Sequence, residues 1–262
     1  MTRLNRRQFL KLAGVVGGLA LPTILGYDLL QDAKGEIPCS GSPYAEVDLL
    51  EKWPSTPRDA SPILLLINES SDNPFGLYLA EILRAEGLNS FQVARVSDLD
   101  NAPIEWFDLV LLAEGPLNGA QADLLEAYVT SGGRLVATRP DVRLAALFGL
   151  ERMTGSTAEG YLQVDPDHPI GRGAAQEALQ FHGIADHYRL AGATALAWLL
   201  DDAQSPTGFP ALTTHRHGQG QAALWAFDLS RSIAYTRQGN PAWADQERDG
   251  LEGFRACDMF TN

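Results

Sequence analysis

The stretch "PILLLINES", residues 62–70, constrains this chain more than any other. Its apolar run from Ile63 to Ile67 is unbroken. A strand with one wet face alternates apolar and polar residues, whereas a continuous run is what a strand buried on both faces requires. Such strands belong to parallel sheets, whose connections must cross over the sheet and usually do so as helices. The following residues supply those connections. "NPFGLYLAEILRAEGLN" predicts a helix with Leu77, Leu79, Ala80, Ile82 and Leu83 on its apolar side, closed by Gly87. "FQVARV" predicts a second strand and "FDLVLLAEG", 107–115, a third. "NGAQADLLEAYVTSGG" predicts another helix, "RLVAT" a fourth strand and "RLAALFGLE", 143–151, a further short helix.

After Thr154 the pattern changes. "GYLQVD", "ALQFHG" and "TALAWLLDD" read as strands joined by loops, and "PALTTHRHGQGQAALWAFD", 210–228, as a hairpin turning near Gly218-Gln219-Gly220. The expected fold class is α/β: a doubly wound, mostly parallel, flavodoxin-like sheet with antiparallel additions in the C-terminal half. Its expected extent is 62–237. Before it stand an N-terminal segment, 1–26, and a Pro/Ser/Gly-rich linker or wrap, 27–61. After it comes a polar tail, 238–262, either a short natural end or a passage into a longer protein.

Residues 5–26 place Arg6, Arg7 and Lys11 before a mildly apolar stretch that is short for a membrane span, which needs about 20 residues. "NRRQFLK" resembles a twin-arginine export motif, which implies the twin-arginine translocase as partner and a periplasmic or otherwise extracytoplasmic location. No small-residue cleavage site follows, so contact with a membrane is expected only through this segment, kept as an anchor. Arg3, Arg6, Arg7 and Lys11 are the only charged residues among the first 26. Removing these four from 20 basic residues leaves 16 against 33 acidic ones, a body of −17. That charge repels phosphate backbones and argues against nucleic-acid binding. The two cysteines, Cys39 and Cys257, either pair outside the cytoplasm or remain free.

The phrases "WFDLVLLAEGPLNGAQADLLEAYVTSGGRLVATRPD" and "GQGQAALWAFDLS" resemble the class I glutamine amidotransferase-like fold over about 62–237. They are most similar to its degenerate forms attached to sugar-acting enzymes, such as the trimerisation domain of some β-galactosidases. An active member of that family carries a cysteine on the elbow after the strand that "RLVAT" resembles, and a His and a Glu after the last strand. Here the elbow is Thr138-Arg139-Pro140, and the last strand runs into Asp228 and Ser230. With no thiol and no base to activate one, glutaminase chemistry is not expected. The resemblance therefore implies an exported, non-catalytic domain acting in binding or assembly, with a protein or carbohydrate partner. The alternative is an extracytoplasmic hydrolase of glycosides or amides, using carboxylates at the sheet's carboxyl edge.

That edge is where parallel sheets place their ligands. The candidate catalytic carboxylates there are Glu69, Glu114 and Asp228, with Asn68, Arg139 and Asp141 as candidate ligand contacts. The same residue types also serve as helix N-caps and solvated loop ends. Arg237 and Trp243, in the polar and aromatic "TRQGNPAWADQERDG", are further binding candidates, since Trp and Arg are favoured at interfaces. His215 and His217 share one strand face, with Asp186 and His187 as possible companions, but the spaced signatures of metal ligands are absent and no metal is expected. "NESSDNPFG" lacks the glycine spacing of a phosphate-binding loop, so no cofactor is expected.

Overall fold

A computed structural model describes residues 53–57, 59–166, 168, 177–244, 246 and 260. The expected export segment, most of the linker, both cysteines and most of the tail lie outside the described residues.

The run at 63–67 forms β1 (Ile63–Ile67), and every residue of it is buried. It is followed by α1 (Phe75–Ala85), β2 (Phe91–Arg95), β3 (Leu109–Leu112), α2 (Gly119–Thr130) and β4 (Arg134–Thr138). β1 pairs in parallel with β2 on one side and β3 on the other, and β3 pairs in parallel with β4. The two faces of β1 enter different cores. Ile63, Leu65 and Ile67 pack with Leu79 and Ala80 of α1, while Leu64 and Leu66 join Leu125 and Val129 of α2. The continuous apolar run is thus explained by a helix over each face. Asn118 starts α2 with a reciprocal capping box to Gln121, which satisfies orphan amides of the first turn.

The second half adds β5 (Leu150–Ala158), β6 (Tyr161–Val164), β7 (Leu179–Gln180), β8 (Ile184–Leu190), β9 (Thr194–Leu200), β10 (Pro206–His217), β11 (Gly220–Trp225) and α3 (Leu229–Gln238). The nine-stranded sheet runs β2-β1-β3-β4-β11-β10-β9-β6-β7. β11 lies parallel to β4 and antiparallel to β10, and every pairing beyond β10 is antiparallel. The expectation of a mostly parallel, flavodoxin-like sheet is therefore corrected: the sheet is mixed. Its physical cause is connection length. The two-residue turn between β10 and β11 permits only an antiparallel pair, because a parallel one needs a crossover.

A second correction concerns 143–151. In place of a helix, the chain makes one short 3-10 turn over Val142–Leu144 and then enters β5. β5 pairs with β8 in a separate two-stranded sheet, which the sequence reading did not anticipate. This small sheet is tied to the large one where the Asp186 amide donates to the Ala226 carbonyl. α3 packs beside α1, with the Tyr235 ring edge-on to Phe75 at 5.3 Å.

Candidate functional site at the carboxyl edge

β1, β3, β4 and β11 all end on the same edge of the sheet, delivering Asn68 and Glu69, Glu114, Arg139 and Asp228 respectively. β3 and β11 flank β4, so their ends stand roughly 9–10 Å apart by ordinary strand spacing. Side chains nevertheless close that gap. Asn73, in the turn before α1, donates from its Nδ2 to Glu114 Oε2 at 2.9 Å and to Asp228 Oδ2 at 2.6 Å. Because both contacts share one nitrogen, those two carboxylate oxygens are separated by no more than the sum of the contacts, about 5.5 Å.

Each partner is fixed from behind. Asp228 caps α3, its Oδ1 accepting from the amides of Ser230 at 2.9 Å and Arg231 at 3.1 Å. Asn73 Oδ1 accepts from the Phe75 amide at the start of α1. Glu114 is followed by Gly115, whose φ of 155° lies at the limit of the left-handed side. A Cβ there would sit 2.4 Å from the Asn68 side chain, so only glycine lets β1 and β3 finish this close together.

Arg139 organises the opposite side. Its φ is 41°, a left-handed conformation that costs a non-glycine residue about 1–3 kcal/mol. The backbone there is held by the Arg139 amide donating to the Trp225 carbonyl at 2.8 Å. The guanidinium donates to Glu114 Oε1 at 2.7 Å and to Asp186 Oδ1 at 3.4 Å. Asp186, from β8, also accepts from Arg152 at 2.8 Å. Three carboxylates thus share the edge with Arg139, Arg152 and Asn73 between them.

Burial pushes the Glu114 carboxyl above its ordinary range, the Arg139 charge opposes the shift, and the nearby Asp228 charge adds to it. For Arg139 the balance falls the other way. Burial works against its charge, but the carboxylates of Glu114 and Asp186 outweigh it and strengthen its hold on the proton. Glu114 is accordingly a partly exposed carboxyl that keeps its proton to a higher pH than a free one, as a general acid does.

The structure brings Glu114, Asp228 and Arg139 together and places the other candidates elsewhere. Glu69 turns away, its Oε1 accepting from the Ser97 amide at 3.3 Å while Oε2 is buried without a partner. Asn68 braces the β1 and β3 ends, donating to the Pro116 carbonyl. Asp141 accepts from the amides of Leu117 and Arg143 and from the Arg143 guanidinium, a loop brace. Arg237 pairs with Glu86 at the C-cap of α1, and Trp243 is buried against His182 with ring centres 5.2 Å apart. The histidines scatter: His187 stacks on Phe209, while His215 meets the Gly192 carbonyl and His217 meets Glu126. Among the described residues no group of three or more His, Cys, Asp or Glu side chains is placed to hold a metal ion. Sequence reasoning missed Asn73 and Arg152 altogether, and took Asp186 only as a companion of the histidines. The one available signal was "DNPFG", an Asn beside a helix start.

An α/β domain with a mixed sheet and a carboxylate-rich carboxyl edge is the class these features define. No protein-family profile matches the chain, and no curated protein does. Among solved structures it is similar to the β-galactosidase from Rahnella sp. R3, with 19% identity and a TM-score of 0.52, covering 66% of this chain and 30% of that one. It is also similar to the β-galactosidase from Bacillus circulans sp. alkalophilus, with 14% identity and a TM-score of 0.51, again covering 66% and 30%. At these identities the likeness is one of fold, and the chain spans less than a third of either enzyme. The expected kinship with glutamine amidotransferases is corrected accordingly: the fold is the one found within these glycosidase chains.

A Salmonella typhimurium structure named a cytoplasmic protein matches over 64% of this chain and 87% of its own, with 14% identity and a TM-score of 0.47. That name describes the Salmonella protein. The expectation of export through the twin-arginine translocase rests on residues 1–26, which lie outside the described residues, and it is not carried into the functional reading. Among the described residues no helix is long and apolar enough to cross a membrane.

Proposed function

We propose that this chain acts on glycosides, with Glu114 as the proton donor and Asp228 as the second carboxylate. This replaces the non-catalytic binding role implied by the amidotransferase resemblance. The observation that carries the proposal is the single Asn73 nitrogen shared by the two carboxylates, which bounds their separation at about 5.5 Å. Retaining glycosidases space their two carboxyl groups about 5–5.5 Å apart, whereas inverting ones need roughly 6.5–9.5 Å to admit a water. The fold's occurrence within β-galactosidase chains supports a sugar as the substrate class.

In this reading the Glu114 carboxyl protonates the glycosidic oxygen as the C–O bond breaks. Asp228 forms a bond to the anomeric carbon, which requires the Asn73 amide to leave Oδ2. Water then attacks that carbon, Glu114 takes its proton, and Asp228 departs as the carboxylate. Arg139 holds Glu114 in place and keeps its second oxygen engaged.

The test is hydrolysis of 4-nitrophenyl glycosides, β-galactoside and β-mannoside first, by the full chain. E114Q and D228N are each expected to lose about 100-fold or more in kcat, by analogy with removal of a positioned acid or nucleophile. Product NMR is expected to show retained anomeric configuration. Undiminished turnover in E114Q would refute the assignment, as would inversion.

A further inference from the structure

Arg231, in the first turn of α3, is a cation with no ion pair or side-chain hydrogen bond among the described residues. Its Nε is buried and unpartnered, and among the described residues no carboxylate pairs with its guanidinium. Leaving such a donor unsatisfied inside a protein is costly. The surroundings nonetheless hold it carefully. Its Cζ lies 5.2 Å from the centre of the Phe75 ring, a cation–π contact. On another side stands Gly183, with a φ of 88°, where a Cβ would come within 3.0 Å of both Arg231 Cδ and Nη1. The Arg231 side chain thus packs against a phenyl face and a glycine backbone.

Arg231 stands beside the carboxyl edge. Phe75 is held through its amide by Asn73, the residue bridging Glu114 and Asp228. The Arg231 amide is itself capped by Asp228, and its charge acts on Glu114. A second guanidinium at this edge, Arg139, likewise has a buried Nε without a partner. Three of the four buried unpartnered side-chain atoms among the described residues, those of Glu69, Arg139 and Arg231, lie around this edge. By contrast, Arg139 spends both terminal nitrogens on Glu114 and Asp186, and Arg152 spends one on Asp186 and the other on backbone carbonyls.

We infer that Arg231 is the recognition point for a carboxylate on the sugar, so that the site takes uronic-acid glycosides rather than neutral ones. The inference rests on the glycoside reading of the same edge and names its substrate class. A planar guanidinium pairs bidentately with a carboxylate, and such charge-assisted bonds are among the strongest available to a binding site.

Binding separates the two ideas, because it needs no turnover. D-glucuronate, D-glucose and acetate are titrated by calorimetry into the full chain, into R231Q and into R231K, each variant first checked for cooperative urea unfolding. Glucuronate is expected to bind the parent chain about tenfold or more tighter than glucose, with that advantage lost in R231Q and partly kept in R231K. Glucuronate binding no tighter than glucose, no tighter than acetate, or unchanged in R231Q would overturn the inference. The parent-chain comparison decides it even if R231Q fails to fold. Absence of hydrolysis on every aryl glycoside, glucuronides included, would instead remove the catalytic reading and leave the binding result standing.

Discussion

Replacing Asp228 by alanine removes three hydrogen bonds at once, two from the first-turn amides of α3 and one from Asn73. Losing an Asp N-cap costs typically about 1 kcal/mol, within a range of roughly 0.5–2. The lost Asn73 contact adds about 1 kcal/mol more, since that amide keeps Glu114 as its other acceptor. Removing a charge that repels Glu114 returns a fraction of this, so the net loss is expected near 2 kcal/mol. For a domain of this size that lowers Tm by about 4–8 °C. Asp228→Ser separates the contributions, because serine caps as well as aspartate but brings neither the charge nor the reach to Asn73. Urea unfolding of the three proteins should place D228S about halfway between D228A and the parent. Both variants should also lower the Glu114 pKa, read by carboxyl NMR shifts, because the Asp228 charge is one of the influences raising it. A D228A loss below about 0.5 kcal/mol, under the usual range for a lost cap, would refute the reasoning. So would a D228S protein no more stable than D228A.

The raised Glu114 pKa makes a signed prediction of its own. A carboxyl whose folded pKa lies above its unfolded value contributes stability at low pH and loses it as pH rises from the ordinary Glu value through the folded one. The parent chain should therefore lose stability over that interval relative to E114Q, measured by urea unfolding at stepped pH, and parallel curves would contradict it. Phe181, fully buried and stacked on Phe227 at 4.8 Å, should cost about 3–5 kcal/mol as F181A in the same assay. R139G should relieve the left-handed strain yet release Glu114 from its counter-charge. The expected signature is a Glu114 pKa higher still, with kcat for aryl glycosides reduced.

The parallel half of the fold was legible because its physics is local. Five consecutive apolar residues at 63–67 announce burial on two faces, and Gly87 and the Gly132-Gly133 pair mark the ends of α1 and α2. The small sheet was not legible. "LERMTGSTA" carries no clean alternation, because β5 has one partner and leaves much of its length at the surface. The site was legible only as an edge. Glu114, Arg139 and Asp228 follow strand ends and could be marked from topology, but Asn73 joins them through contacts spanning 41 and 155 positions. No spacing rule encodes that reach. Nor does residue type reveal that Arg139 adopts a left-handed backbone, or that Glu69, the outwardly equivalent carboxylate, turns to Ser97.

The position of β11 at the centre of the sheet has a consequence for how this molecule is made. Residues 220–225 are translated after both β4 and β10, yet they slot between them and carry Asp228 to its partners. Until they emerge, β4 presents an unpaired edge and Glu114 lacks Asp228. The nascent chain is then both chemically incomplete and open to pairing with other chains, the hazard of any long uncovered edge. The arrival of Asp228 beside Glu114 and the closure of that edge are one event, so a ribosome-stalled chain ending near residue 215 should be prone to aggregate.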